Sequence, residues 1–291
     1  MKTFSTSLFL MLLCLSVLNP SIAQAQQGAA GQDISGALSQ MDTLMNEEKR
    51  DYTPEEEYYL GRAVGANILS FYKPYTRNRE LTAYLNRICS AITVNSPQPE
   101  LYNGYHVMIL DSQEINAFAT PGGHIFLSRG LVEAVNSEDA LAAVIAHEAA
   151  HILLKHGITM IKDMALTQDL SRTGDAAART AAREAGMDAE LLSFGNSVNA
   201  MVNTMVKNGY SRQQEYAADD AALILMAAAG YDPAALVEML RLLEVAQKAH
   251  PGGFNTTHPS PGERIRNAAA KAQSYRVQNT RSYRQNRFKN K

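Results

Sequence analysis

Apolar residues recur at helical spacing along most of this chain. In the stretch "YTPEEEYYLGRAVGANILSFY", Thr53 precedes Pro54, and Glu56 follows Thr53 by three residues. A hydroxyl N-cap, a proline at the first helical position and a glutamate at the third form a capping box, so a helix is expected to begin here. A second helix is predicted from Glu80 to Val94, because the proline-containing segment "NSPQPE" follows it.

Strand-like patterns are confined to the middle of the chain. Branched and aromatic residues dominate "YHVMILD" (Tyr105 to Asp111) and "HIFLS" (His124 to Ser128), and "TPGG" (Thr120 to Gly123) between them is typical of a turn. From Ser137 onward the spacing of apolar residues is helical. We therefore expect an α+β fold that is mostly helical, in which a small β-sheet packs on a larger helical body.

The two ends of the chain have compositions that set them apart from a folded domain. Lys2, the apolar run from Leu8 to Leu18 and the small residues Ala23 and Ala25 are typical of a secretory signal peptide over residues 1–25. We predict a flexible leader over residues 26–50, the folded domain over 51–275 and a solvated basic tail over 276–291. An exported chain of this kind is expected in the periplasm, either soluble or peripherally associated with the envelope membrane.

Composition narrows the ligands that the domain can bind. Cleavage after Ala25 removes Cys14 and leaves Cys89, so no internal disulfide can form and a zinc site made of thiolates is excluded. A lone cysteine in an apolar helical context is expected to be a small buried residue. The formal net charge of −2 at pH 7 offers no overall attraction to nucleic acid.

The segment "AVIAHEAAHILLKHG" contains the residues from which metal chemistry is predicted. His147 and His151 lie about 6 Å apart along a helix axis and project from the same face, so both can reach one ion. Glu148 lies about 100° round the helix from His147, where a general base for a metal-activated water belongs. The alternative is an alanine-rich helix that carries two half-exposed histidines.

A third metal ligand has to come from elsewhere. The metzincin spacing requires glycine at position 154 and histidine at position 157, and the chain has neither. The predicted helix begins after Ser137 and runs at least to Lys155. On such a helix His156 is about 140° from His151 and is expected to point away from the pair.

The segment "GYSRQQEYAADDAALILMAAAG" offers a carboxylate ligand. Ser211 is expected to cap a helix whose second half is apolar, and Glu215 would be buried on it with a need for a strong partner. Asp219, one turn later, could accept the outer N–H of a ligating histidine. The alternative for Glu215 is an ion pair with Arg212.

Four segments together resemble one enzyme family. They are "NAFATPGGHIFLSRGLV" (Asn116 to Val132), "HEAAH" (His147 to His151), "SRQQEYAAD" (Ser211 to Asp219) and "HPSPGERI" (His258 to Ile265). Their order resembles that of the zinc metallopeptidases that include the CAAX prenyl protease, HtpX and the periplasmic β-barrel assembly-enhancing protease. The chain is most similar to the soluble exported members, without a repeat domain.

The resemblance implies a zincin-like (gluzincin) domain that binds one Zn²⁺ ion per chain. It implies that zinc is held by His147, His151 and Glu215, with Glu148 as the catalytic base. It also implies that the strand around 124–128 borders the active cleft. The residues expected there are Asn116, His124, Ile125 and Phe126.

His258 lies in a loop before a helix that is predicted to begin near Pro261. From the residues alone, its imidazole could donate to an oxyanion, occupy the open metal position or cap the following helix. The resemblance implies that this histidine lies at the metal site and holds the enzyme inactive until a substrate arrives.

The sequence therefore predicts a zinc endopeptidase that hydrolyses peptide bonds of misfolded or misassembled envelope proteins by metal-activated water. An unfolded or extended substrate is expected to pair as an extra strand along "HIFLS". Contact with the envelope membrane or an assembly machinery is a further expectation. The alternative is a periplasmic chaperone or assembly factor with a structural or self-inhibited zinc site. Residues 160–208 are open to interpretation as a lid, a docking surface or core.

Overall fold

The computed structural model describes residues 52–171, 199, 202–203, 209–249, 258, 261–275 and 280–290. The helices are α1 Pro54–Phe71, α2 Arg79–Thr93, α3 Arg129–Ala134, α4 Glu138–Leu153, α5 His156–Ser171, α6 Arg212–Ala228, α7 Ala234–Ala249, α8 Pro261–Ala272 and α9 Arg281–Lys289. The strands are β1 His106–Leu110, β2 Ala117–Thr120 and β3 His124–Ser128, with a 3-10 turn at Pro121–Gly123. The predicted signal peptide and leader, and most of 160–208, lie outside the described residues.

Three helices begin where their capping residues predict. The Thr53 side chain accepts the Glu56 N–H and the Glu56 carboxylate accepts the Thr53 N–H, which completes the predicted capping box. Ser137 caps α4, and Ser211 caps α6 with a second capping box. Short-range hydrogen bonds therefore set the start of both helices that carry the predicted metal ligands.

The sheet has the strand order β1-β3-β2, with β1 parallel and β2 antiparallel to β3. The predicted α+β fold, mostly helical with a small sheet, is confirmed. The strand β2 was not predicted, because its four residues are all buried and show no alternation. Since β3 is paired on both sides along its length, it has no free edge. The expectation that a substrate pairs along "HIFLS" is therefore wrong, and the edge strands are β1 and β2.

Helix α4 lies at the centre of the fold, and each of its residues from Glu138 to Leu153 is buried. It packs against β2 and against α2, α6 and α7. Its alanines let neighbouring backbones approach closely, so α6 can bring side chains within a few ångströms of those on α4.

Helix α1 packs directly on the turn between β2 and β3. A Cβ atom on Gly61 would lie 1.7 Å from the Pro121 carbonyl oxygen, and one on Gly122 would lie 2.3 Å from the Tyr58 Cα. Gly122 also has φ 71°, a left-handed conformation that glycine adopts without strain. Residues before the sheet thereby hold the turn in place.

The basic end of the chain is not a frayed tail, as the sequence had suggested. Helix α9 docks on the N-terminus of α4, where Arg284 Nε lies 2.9 Å from Asp139 Oδ1 and Arg287 Nε lies 3.0 Å from Glu138 Oε2. Asp139 and Glu138 are buried, so they gain from these cationic partners. In the part of the chain that the structure describes, no helix combines the length and apolar character needed to cross a bilayer.

Candidate metal centre

Four side chains meet between α4, α6 and the segment before α8. His147 and His151 come from α4, Glu215 from α6, and His258 lies close to the start of α8. One potential ligand atom from each lies within 4.8 Å of the others, and all four side chains are buried. The structure thus brings together the three predicted ligands and His258.

The spacing of these atoms fits a small tetrahedral ion. His147 Nε2 is 3.1 Å from His151 Nε2 and 3.6 Å from Glu215 Oε2, and His151 Nε2 is 3.4 Å from Glu215 Oε1. His258 Nδ1 is 2.9 Å from Glu215 Oε1 and 3.2 Å from His147 Nε2. Zinc bonds of 2.0–2.1 Å place tetrahedral ligands about 3.3 Å apart. Nitrogen and carboxylate donors are also those that zinc prefers, so the residues fit this metal.

Glu148 lies beside the cluster without belonging to it. It is fully buried, and neither carboxylate oxygen has a hydrogen-bond partner among the described residues. His258 Nε2 lies 3.5 Å from Glu148 Oε1. Burial raises the pKa of Glu148, because the desolvated carboxylate is harder to ionise. The carboxylate is therefore free to exchange a proton with a group that enters the site.

Asp219 and Arg264 contact the predicted ligands: Asp219 lies beside His147, and Arg264 lies beside Glu215. Asp219 Oδ1 lies 3.1 Å from His147 Nδ1, the nitrogen that faces away from the cluster. Arg264 donates to both Asp219 oxygens at 2.7 Å, and its third nitrogen lies 2.5 Å from Glu215 Oε2. Burial opposes ionisation of Glu215, but the charges of His258 and Arg264 hold its pKa well below the ordinary value.

Arg264 is the residue of the site that the sequence reasoning missed. It belongs to "HPSPGERI", a segment singled out only as a whole. The proposed alternative partner for Glu215 is wrong, because Arg212 is exposed and lies 3.6 Å from Glu263. A fully buried arginine that pairs with two carboxylates is visible only once α6 and α8 are packed together.

The prediction that His156 points away from the pair is also wrong. Helix α4 ends at Leu153 rather than continuing to Lys155, which has φ 54° and separates α4 from α5. The break turns His156 back towards the site, so its Nδ1 lies 2.8 Å from His151 Nδ1. His156 therefore contacts the outer nitrogen of a predicted ligand and is not itself in the cluster.

The predicted substrate-strand residues make local contacts in the sheet and the core. Asn116 is buried, and its side-chain oxygen accepts the Ala117 N–H. His124 contacts Tyr58 with ring centroids 5.2 Å apart. Ile125 and Phe126 are buried in two separate hydrophobic clusters.

A small cavity of about 10 Å³ instead lies beside His151, and β2 lines it. The cavity places the edge strand β2, and not β3, next to His151. Its lining includes Ala119, Thr120, Lys155 and Tyr210.

Comparison with known proteins agrees with this geometry. The chain is 26% identical over 225 residues to the β-barrel assembly-enhancing protease of Escherichia coli, which covers 76% of this chain and 43% of that protein. It is 31% identical over 204 residues to the mitochondrial metalloendopeptidase OMA1 of Schizosaccharomyces pombe, covering 69% of this chain and 54% of that protein. It is 30% identical over 191 residues to the metalloprotease LoiP of Escherichia coli, covering 64% of this chain and 69% of that protein.

The chain thus spans about half the length of the first two of these relatives. The model of peptidase family M48, whose members use zinc, matches residues 75–272. The matched range contains every residue of the four-residue cluster. The chain therefore belongs to peptidase family M48.

Proposed function

We propose that this protein is a zinc endopeptidase in which His147, His151 and Glu215 hold the metal. The observation that supports this most directly is the buried carboxylate of Glu148, which has no hydrogen-bond partner among the described residues and lies beside a tetrahedral set of donors. Zinc at this position supplies Lewis-acid activation of a water molecule and of the scissile carbonyl. A purely structural zinc site has no use for a neighbouring proton acceptor.

The roles of the protein groups follow from their contacts. Glu148 takes a proton from the attacking water and passes it to the leaving nitrogen. Asp219 Oδ1 lies 3.1 Å from His147 Nδ1, where a carboxylate would favour the tautomer that leaves Nε2 available to the metal. Arg264 holds Glu215 in place and keeps it ionised. These contacts orient the ligands before any substrate arrives.

The substrate is proposed to pair with the outer edge of β2. Ser128 donates its N–H to the Asn116 carbonyl at 2.9 Å, which makes this a hydrogen-bonded pair of the β2–β3 ladder. Because such pairs alternate, the backbone groups of Phe118 face β3 and those of Ala119 face outward. Ala119 also lines the cavity beside His151, so a peptide paired there would run past the metal cluster.

Backbone pairing at an edge strand makes a periodic prediction for the substrate. N-methylation of successive residues of a cleavable peptide should reduce kcat/KM about tenfold or more at every second position on one side of the cleaved bond. Antiparallel pairing uses every second residue, which is why the effect should alternate. An equal effect at every position, or none, would refute pairing at β2.

The enzyme hypothesis is tested by Glu148→Gln, which keeps the size of the side chain and removes its basicity. Casein cleavage by the mature chain should fall by at least about a hundredfold, the usual contribution of a general base. Zinc content measured by atomic absorption should stay at one ion per chain. Full cleavage by this variant, or full complementation of a deletion strain, would favour a chaperone or assembly factor instead.

One observation supports a self-inhibited site as the second candidate. His258 Nδ1 fills the fourth corner of the donor set, whereas a catalytic zinc site keeps one position open for water. We propose that His258 leaves this corner when substrate binds. His258→Ala should then raise basal casein cleavage, while a role as oxyanion donor predicts a loss of cleavage in the same assay.

The physiological substrates are proposed to be unfolded or misassembled proteins of the bacterial envelope. Two features support this: edge-strand pairing recognises extended backbone with little demand on sequence, and one relative is named a β-barrel assembly-enhancing protease. Export to the periplasm and contact with an assembly machinery belong to the same proposal. When the inactive variant Glu148→Gln is expressed in cells and cross-linked to bound proteins, we expect envelope proteins to be recovered with it. Recovery of cytoplasmic proteins alone would argue against envelope substrates.

A further inference from the structure

A buried phenol, that of Tyr210, lies beside the metal cluster. Tyr210 is 5% exposed, and its ring stacks on that of His151 with centroids 4.0 Å apart and planes 17° apart. It directly precedes Ser211, the residue that caps α6. The capping box therefore holds Tyr210 in a defined place relative to Glu215.

The Tyr210 hydroxyl has no hydrogen-bond partner among the residues that the structure describes, although the oxygen is buried. Buried tyrosine hydroxyls normally find a partner, because desolvating one without compensation is unfavourable. Phenylalanine would give the same ring stacking and would bury no polar atom. The hydroxyl therefore lowers the stability of the fold, and its presence needs an explanation other than stability.

The surroundings of this hydroxyl point to a substrate. Tyr210 lines the cavity beside His151, together with Ala119 and Thr120 of the edge strand. The cavity holds about one water molecule, so a polar group entering with a peptide could reach the phenol. A tyrosine hydroxyl is an O–H donor at neutral pH, so the phenol can donate to such a group.

We propose that Tyr210 is a catalytic residue whose hydroxyl donates a hydrogen bond to the scissile carbonyl oxygen and stabilises the negative charge that develops there. This inference rests on the proposed function, since it requires a peptide at the outer edge of β2. Fixed donors aimed at a developing oxyanion are among the largest contributions to catalysis of acyl transfer.

The proton and electron balance of this step is simple. The water oxygen forms a bond to the carbonyl carbon, and the carbonyl π electrons move to the oxygen that Tyr210 contacts. Glu148 receives the proton of the water. When the carbonyl re-forms, the C–N bond breaks and Glu148 returns the proton to the leaving nitrogen. Tyr210 donates a hydrogen bond throughout and transfers no proton.

The test is Tyr210→Phe, which keeps the ring and removes the hydroxyl. We expect kcat for a fluorogenic peptide to fall about a hundredfold, as for loss of one oxyanion donor, with KM within about twofold. A phosphinic peptide that imitates the tetrahedral intermediate should bind about a hundredfold more weakly. Zinc content should be unchanged, and the melting temperature should be equal or higher because an unpartnered polar atom is removed.

Tyr231→Phe is the matched control. Its hydroxyl is also buried but lies 3.2 Å from Glu138 Oε1, about 13 Å along α4 from His147. This variant should melt at a lower temperature and keep its kcat. The pair therefore separates a hydroxyl used in catalysis from one used for stability.

Two results would overturn the proposed role of Tyr210. A kcat of Tyr210→Phe within threefold of wild type would overturn the proposal, and so would a loss of activity accompanied by loss of zinc or by a lower melting temperature. Glu148→Gln distinguishes this failure from that of the proposed function. If Glu148→Gln is inactive while Tyr210→Phe is normal, only the role of Tyr210 fails; if Glu148→Gln is active, the proposed function fails as well.

Discussion

Replacing Arg264 by methionine should destabilise the protein far more than removal of an ordinary ion pair. The Arg264 side chain is 1% exposed, and its three nitrogens contact Asp219 and Glu215, which are fully buried. Methionine fills much of the same volume, so the main loss is the positive charge. Two desolvated carboxylates then lose their common partner.

The size of this loss can be estimated from the burial of all three groups. Removing one partner of a buried ion pair costs about 3–5 kcal/mol, because the other charge stays buried without compensation. For a domain of this size each kcal/mol lowers the melting temperature by about 2–4 °C. We therefore expect a decrease of about 6–20 °C in the zinc-free protein. The decrease should be smaller with zinc bound, since the metal compensates the charge of Glu215.

The assay is thermal and urea denaturation followed by circular dichroism, with and without chelator. Arg212→Met is the matched control, because Arg212 is 68% exposed in its side chain and lies 3.6 Å from Glu263. Exposed pairs contribute about 0–1 kcal/mol, so this variant should melt close to wild type. Adding Asp219→Asn to Arg264→Met should recover part of the loss. If Arg264→Met costs no more than Arg212→Met, the electrostatic reasoning is refuted.

Three further predictions concern parts of the fold away from the metal. Gly61→Ala should lower the melting temperature strongly, because its Cβ would lie 1.7 Å from the Pro121 oxygen; a wild-type melt would show that α1 can shift freely. Arg284→Met should cost about 3–5 kcal/mol in urea denaturation, since it removes the cationic partner of the buried Asp139, and a cost below about 1 kcal/mol would restore the frayed-tail hypothesis. Burial raises the pKa of the Cys89 thiol to about 12, so a thiol reagent at pH 8 should label it only after unfolding, and rapid labelling of the folded protein would contradict the burial.

Features that depend on a few neighbouring residues could be predicted from the sequence. Thr53, Ser137 and Ser211 were identified as caps, because each accepts a hydrogen bond from an N–H three residues away. The convergence of His147 and His151 follows from helix periodicity alone. The expected burial of Glu215 on an apolar helix made it the candidate third ligand, the family resemblance implied the same, and the structure brings it into the cluster.

Errors arose where one residue breaks a regular element. Helix periodicity turns His156 away from the pair only on a continuous helix, and Lys155 interrupts the helix in a left-handed conformation that its side chain does not predict. The sequence predicts a tail at the basic end, because nothing near Arg284 in sequence is acidic. Its partner Asp139 lies 145 residues away.

The sequence by itself therefore determined the helix starts, the histidine pair and its neighbouring glutamate, because these depend on local geometry. Only packing decided that β1 and β2, and not β3, are the edge strands, that Arg264 pairs with Asp219 and Glu215, and that Tyr210 stacks on His151. Strand order and buried ion pairs join residues far apart in the chain. Strand order and buried ion pairs depend on which surfaces fit together when the whole core forms. Local periodicity does not contain that information.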